Sequence, residues 1–372
     1  MHTAYAEASP SLALIKYWGK QEEGINVPAT TSIAVGLDAL RTRTTVRTAD
    51  ARRVKRRLDS TSPEAGADFS VSIDGETQDP RHFHSVISAL RSRARELGCT
   101  RADDHLEIES HNTFPTAAGV ASSSSGFAAL VLALDAYFEL ELESEVASRI
   151  AREGSGSAAR SVYGGFTRFD AGALAARRLH PASHWSELRI LVALTDTGPK
   201  STGSRSGMNH TRETSPFYRL WVEDSFAVAE AATGALERRD LETLGARMRE
   251  SYLRMTGSML GASPAVIYWK PESIALIELC SRLREEGLAA WETMDAGPQV
   301  KILTTADDLP AVREAVEGSG AASRTIESAV GGEPVMGTDP ANRGKDEPAP
   351  PTGTPAAPSS ESGPHAPENN AP

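Results

Sequence analysis

The chain has 372 residues, with 50 acidic against 39 basic side chains and a formal net charge of −11. That length provides for two domains with real cores, and the acidic balance argues against nucleic acid and anionic membranes as partners without forbidding a small basic pocket. The two cysteines, Cys99 and Cys280, give neither a disulfide framework nor a thiolate metal site and are expected as buried free thiols.

No apolar run reaches the roughly 20 residues that a spanning helix needs. The start, MHTAYAEASPSLALIKYWGK, has no basic region followed by a sustained apolar one, so a cytoplasmic protein is expected. Within it, LIKYWGK (14–20) brackets an aromatic pair with two lysines, the pattern of a half-buried strand with snorkelling ends. TSIAVGLD (31–38), RTRTTVRT (41–48) and FSVSID (69–74) alternate as strands do. HFHSVISALRSRARELG (82–98) reads as a helix stopped by glycine, and HLEIES (105–110) as a strand.

PTAAGVASSSSG (115–126) then runs straight into the apolar FAALVLALDAYF. A helix N-terminus exposes unpaired N–H groups and a positive dipole end, which suit phosphate. Small residues let the backbone approach the anion, and serine hydroxyls add donors and ligands for Mg²⁺. A serine-capped helix with a loose entry is the alternative. The usual mononucleotide loop G-x-x-x-x-G-K-[ST] is missing. SEVASRIAREG follows as a shorter helix. GSGSAAR (154–160) nearly matches a dinucleotide fingerprint but follows a helix rather than a strand, and so reads as an anion-wrapping loop ending in Arg160.

SVYGGFTRF and RILVALTD are predicted strands. Helices follow near 215–237, 241–260 and 272–287, then strands at AAWETMD and VKILTT. Strands and helices without a regular βαβ rhythm predict an α+β fold. A boundary is expected near residue 190, giving parts 1–190 and 191–330. From about Gly331 the composition turns to Gly, Pro, Ala and Ser, which predicts a disordered tail over 331–372. His180 and His184 have metal-like spacing, but Pro181 disfavours the helix that would align them. There is no G-x-S-x-G elbow.

LIKYWGK, INVPATTSIAV, NTFPTAAGVASSSSGFAAL, GSGSAARSVYGGF, SRSGMNHTRETSPFY and ETMDAGPQVKIL occur in that order. Together they resemble the diphosphomevalonate decarboxylase family, within the superfamily of galactokinase, homoserine kinase, mevalonate kinase and phosphomevalonate kinase. The resemblance implies an N-terminal part like ribosomal protein S5 domain 2, a ferredoxin-like C-terminal part, a cleft between them and a homodimer. It implies ATP and Mg²⁺ as cofactors, and decarboxylation of (R)-5-diphosphomevalonate to isopentenyl diphosphate through phosphorylation of the 3-hydroxyl. Asp295 then corresponds to the catalytic aspartate, Lys16 to a neutralising lysine, Arg160 to a carboxylate clamp, and Ser204 with Arg205 to a Ser-Arg pair facing the substrate. Tyr17, Trp18, Gly19, Lys20, Ser155, Gly156, Ser157, Ala158, Ala159 and Met208 match the substrate cradle. Asn112, Gly119, Ser122, Ser123 and Ser124 match nucleotide contacts, with Ser123 also toward the metal. The chain departs from the family pattern at Ser11, where members commonly carry Asn, and at Gln299 and Ala159. A decarboxylase of 5-phosphomevalonate and a non-catalytic nucleotide or isoprenoid-diphosphate binder remain open as other readings.

Overall fold

A computed structural model describes residues 2–22, 25–50, 68–114, 122–195 and 202–338. Its first sheet has the order β14-β1-β4-β7-β5-β6. Here β1 is Thr3–Ala8, β4 Thr42–Thr48, β5 Phe69–Ile73, β6 Glu76–Thr77, β7 Leu106–Asn112 and β14 Val335–Gly337. Threonine and valine give β4 a strand preference. Alanine-rich β1 has little preference of its own. It is held by antiparallel ladders to β4 and β14, and its small side chains admit helix α2 (Ser122–Phe138) at close range. Helix α2 is apolar nearly all round, as a helix inside a core must be. Leu130, Val131 and Leu134 pack with Val46, Leu106 and Ile108 of the sheet and with Val86 and Leu90 of helix α1 (His84–Glu96).

The second sheet has the order β2-β3-β8-β9, with β2 Ser11–Ile15, β3 Ser32–Gly36, β8 Phe166–Phe169 and β9 Arg177–His180. Between β7 and β8 lie α2, helix α3 (Ser144–Gly154) and the single turn α4 (Ala158–Ser161). The third sheet has the order β11-β12-β10-β13, with β10 Leu188–Leu194, β11 Trp291–Met294, β12 Val300–Thr305 and β13 Arg324–Ala329. Helix α5 is Ser204–Thr214, α6 Tyr218–Arg238, α7 Leu241–Leu260, α8 Pro271–Glu285 and α9 Leu309–Gly318. Asp240 caps α7 by accepting a hydrogen bond from the Thr243 N–H at 3.0 Å.

The α+β arrangement is as expected. The two halves of the chain share a core across residue 190: Leu12, Ile33 and Phe166 pack with Leu188, Val192 and Leu303, and with Val228 of α6 and Leu244 of α7. Both sheets are thereby fixed against the same two helices, which sets the walls of the cleft.

Two expectations need correction. LIKYWGK is a strand only through Ile15; beyond it the Lys16 N–H donates to the Ser251 hydroxyl of α7 at 2.9 Å rather than to a ladder, and Gly19 takes φ 117°. The compositional boundary at Gly331 falls too early. The Gly331 N–H donates to the Gly36 carbonyl at 2.8 Å, Glu333 pairs with Arg178, and Val335–Gly337 adds an edge strand to β1. Edge pairing uses backbone groups, which composition does not report. Residues 339–372 lie outside the described part. His180 and His184 stack face to face at 3.9 Å, with His184 hydrogen-bonded to the Leu236 carbonyl, and no cluster of three or more metal-ligating side chains occurs among the described residues. Cys280 is buried and Cys99 partly so.

Candidate active site

A cleft of about 1140 Å³ has Lys16, Arg160 and Asp295 in its lining. Strand β11 delivers Asp295, which begins the turn that returns as β12; the Gly297 N–H closes that turn on the Asp295 carbonyl at 2.9 Å. Behind it, the fully buried Glu292 takes hydrogen bonds from Arg249 (2.5 Å), Arg284 (2.6 Å) and Tyr252 (3.0 Å), which locks β11 in register. Satisfied on every side, this buried carboxylate braces the strand that carries Asp295.

Each Asp295 oxygen has an ammonium group beside it. Lys16 Nζ is 2.6 Å from Oδ1 and Lys301 Nζ is 3.3 Å from Oδ2. Both lysines are buried, whereas 31% of the aspartate side chain is open to the cleft. Burial alone would raise the Asp295 pKa, but the charges and hydrogen bonds of Lys16 and Lys301 outweigh it and hold the carboxyl well below the usual carboxylate range. Burial pulls Lys16 down to about 8, with Asp295 opposing the shift and Lys301 and Arg160 adding to it. Lys16 Nζ also donates to the Ala13 carbonyl at 2.7 Å.

Arg160 sits on α4, where Ala158 and Ala159 are fully buried. These two alanines belong to the packing and do not line the cleft; their small size seats the turn that aims Arg160 inward. One Arg160 nitrogen donates to Ser32 at 2.6 Å, while Nε has no hydrogen-bond partner among the described residues. No carboxylate there forms an ion pair with it, and burial lowers its pKa to about 10. A buried guanidinium without an anion is costly, and its donor fork matches a carboxylate or phosphate.

Tyr17 stacks on Phe169 at 6.4 Å, lies under Arg160, and has no hydrogen-bond partner for its hydroxyl among the described residues. Burial raises its pKa to about 12. A Cβ on Gly156 would stand 2.4 Å from that hydroxyl, so only glycine leaves the Tyr17 ring in place. Gly19 meets Tyr218 and not the cleft, and a Cβ there would overlap the Tyr218 hydroxyl. Trp18 and Met208 share an apolar cluster with Trp221 and Met255; both also edge the cleft. Lys20 lines the same side, its pKa lowered to about 8 by burial and then by Arg205 and Arg212. Ser204 and Arg205, at the start of α5, face it.

The described part of α2 opens with Ser122 and Ser123 in the cleft lining. Ser123 Oγ is 3.4 Å from Ser155 Oγ, which is 3.1 Å from Ser157 Oγ, so the two small-residue loops meet. Ser124 is not a cleft residue: it is fully buried and its hydroxyl accepts from the Ser11 N–H at 3.4 Å, so it supports the loop. Asn112 lines the cleft with its amide fixed by Asp74 at 2.9 Å and Thr42 at 2.7 Å. Gly119, with residues 115–121, lies outside the described part.

Sequence reasoning missed Lys301, Glu292 and an apolar arm of the cleft formed by Val71, Ile73, Phe83, Phe127 and Leu130. In the β11–β12 hairpin Lys301 stands opposite Thr293, two residues before Asp295 and therefore on the same face.

Residues 8–178 match the family model described as diphosphomevalonate decarboxylase-like N-terminal domain, and residues 190–354 match mevalonate 5-diphosphate decarboxylase C-terminal domain. A diphosphomevalonate decarboxylase of Ganoderma lucidum is 32% identical over 337 residues, 85% of this chain and 82% of that one. The protein of the same name from Homo sapiens is 32% identical over 81% of this chain and 76% of its own. Among solved structures, mevalonate diphosphate decarboxylase from Staphylococcus aureus aligns with a TM-score of 0.80 at 31% identity, covering 90% of this chain and 98% of its own. A complex of MDDEF with MVAPP, AMPPCP and magnesium aligns with a TM-score of 0.79 at 32% identity, covering 91% and 99%.

Proposed function

This chain belongs to the diphosphomevalonate decarboxylase family, and on that premise we propose that it converts (R)-5-diphosphomevalonate and ATP to isopentenyl diphosphate, ADP, phosphate and CO₂, with Asp295, Lys16 and Arg160 as its catalytic set. The observation that carries the residue assignment is the convergence in one cleft of an ionised aspartate, its lysine, and a buried arginine with no carboxylate paired to it among the described residues.

A β-hydroxy acid has no electron sink for losing CO₂, and its tertiary hydroxyl leaves badly. Asp295 orients that hydroxyl and takes its proton as the oxygen attacks the γ-phosphorus. General-base action of this kind contributes roughly 10²–10⁴-fold. Lys16 neutralises the charge that moves with the phosphoryl group. When phosphate departs from carbon 3, the electron pair of the C–CO₂ bond fills the vacancy. Arg160 holds the substrate carboxylate in line until then, and the Asp295 carboxylate favours the transient positive charge. Lys20, Arg205 and Tyr17, with Ser155 and Ser157, receive the diphosphate, and Ser204 faces the reacting carbon. The apolar arm takes the nucleobase, and the start of α2 takes the nucleotide phosphates. The Ser122 and Ser123 hydroxyls in the cleft lining would help to hold Mg²⁺, an oxygen-seeking ion that would neutralise the phosphates.

Lys16, Lys20, Arg160 and Arg205, all in the cleft lining, explain how an acidic protein binds a substrate with several negative charges. Lys20 and Arg205 stand together on the side assigned to the phosphates, which suits the larger anionic group of the diphosphate. No helix among the described residues is long and apolar enough to cross a membrane. The reading extends to a homodimer in the cytoplasm, checked by light scattering at micromolar concentration and by fractionation.

Isopentenyl diphosphate should appear in the product mixture only when ATP, Mg²⁺ and the diphosphate are all present; ADP without it would defeat the decarboxylase reading. Gly156→Ala tests the cradle. Its Cβ would displace the Tyr17 ring, and a misplacement of about 1 Å costs about 100-fold in rate. The loss should appear in kcat/KM for the acid, with ATP affinity held; equal losses for both ligands would mean general disorder rather than a displaced Tyr17.

A further inference from the structure

Asp295 carries a cation on each oxygen, although one suffices to neutralise it. The two lysines are not equivalent. Lys16 lines the cleft and follows β2 at the point where the strand ends. Lys301 lies inside β12, with ladder partners on both sides: Thr293 of β11 and Val192 of β10. A side chain on a doubly paired strand has a fixed base. The backbone of Lys16 is held too, by Ser251 and Thr30, but its side chain borders the cleft and that of Lys301 does not, so of the two only Lys16 can reach a group bound there.

We propose that Lys301 is the stationary positioning cation of the site, holding Asp295 in place as a carboxylate while Lys16 turns from the aspartate to the transferring phosphoryl group. Without Lys301, departure of Lys16 would strand a carboxylate in a largely buried pocket, a heavily penalised arrangement. With it, Asp295 keeps one ammonium at Oδ2 throughout, and Oδ1 becomes available to the substrate hydroxyl. The step balances. The hydroxyl proton passes to Asp295 Oδ1, the O–P bond forms, and the bond from the γ-phosphorus to ADP breaks. Lys301 exchanges no proton.

The charged groups that face Asp295 are Lys16 after β2, Lys301 on β12 and Arg160 on α4. Lys301 and Arg160 both lower the Lys16 pKa, so removing Lys301 must raise it. The experiment is Lys301→Met, of similar volume. Lys16 is titrated by NMR of its ammonium nitrogen in the ligand-free chain, and its signal is assigned by loss in Lys16→Met. Lys16 should titrate near pH 8 in the unaltered chain and at higher pH in the variant. In turnover, kcat should fall at least tenfold with ATP affinity within twofold, and the alkaline limb of kcat/KM should move upward. Lys301→Arg should keep the Lys16 titration in place and recover part of kcat. A folded Lys301→Met chain with the Lys16 titration unmoved, or with kcat within twofold of the unaltered chain, overturns the proposal. If the methionine variant does not fold, Lys301→Gln is judged by the same two readouts. The inference rests on the reading of Asp295 as proton acceptor. Turnover near that of the unaltered chain in a folded Asp295→Asn variant would overturn that reading alone, because the Lys16 titration needs no reaction.

Discussion

Asp295→Asn is expected to lower kcat at least 100-fold while the chain stays folded. The amide keeps the size of the carboxylate and loses both its charge and its basicity. As a base it is worth roughly 10²–10⁴-fold. The variant also leaves two buried ammonium groups, those of Lys16 and Lys301, without the carboxylate between them. Lys16 is already held near 8 by burial, and it loses the partner that opposes that shift. Without that partner Lys16 gives up its proton more readily, which limits the cost to stability. Circular dichroism should match the unaltered chain, and ADP and CO₂ should fall together. Turnover near that of the unaltered chain in a folded Asp295→Asn variant would remove Asp295 from its role.

Arg160→Gln is expected to impair decarboxylation without weakening ATP binding, and to leave the melting temperature unchanged or raised. The reasoning is again one of charge. Arg160 is buried, donates to Ser32, and has no ion-paired carboxylate among the described residues. In the free enzyme its burial is therefore unfavourable, so a neutral amide relieves a cost. In the complex the guanidinium meets the substrate carboxylate. Truncating one side of a buried charge pair costs about 2–5 kcal/mol, or roughly 30- to 5000-fold. The loss should fall on kcat/KM for the acid. Unchanged kinetics would exclude the clamp. A large fall in melting temperature would make Arg160 a structural residue.

Much of this was legible in the sequence where side-chain pattern and turn chemistry carry the information. The apolar run after the serines is α2, VKILTT is β12, and the Asp-Ala-Gly-Pro stretch is the turn between β11 and β12. Elements defined by backbone pairing alone were not legible. Alanine-rich β1 and the edge strand Val335–Gly337 have no pattern of their own, and they exist because β4 and β1 offer ladder positions. Helices α5 and α9 were not read either, the first because Ser, Gly, Asn and Thr make poor helix formers in isolation.

At the site, motif reading found residues but not their direction. Ser124 and the alanines Ala158 and Ala159 sit inside the right stretches yet face the core, because a helix turns neighbouring positions to different sides. Lys301 was missed for the opposite reason. A lysine within a strand pattern reads as solvent-facing, and only the hairpin register reveals that it shares a face with Asp295. At Ser11 the N–H donates to the Ser124 hydroxyl, and its own hydroxyl, in the cleft lining, has no hydrogen-bond partner among the described residues.

The most direct test of the account is CO₂ and ADP release with ATP and Mg²⁺, offering 5-diphosphomevalonate, 5-phosphomevalonate and mevalonate in parallel. The expected result is CO₂ and ADP in equal amounts from the diphosphate alone. CO₂ from the monophosphate in preference to the diphosphate would contradict the roles given to Lys20 and Arg205. ADP without CO₂ from any of the three would contradict the decarboxylase reading and the joint roles of Asp295 and Arg160.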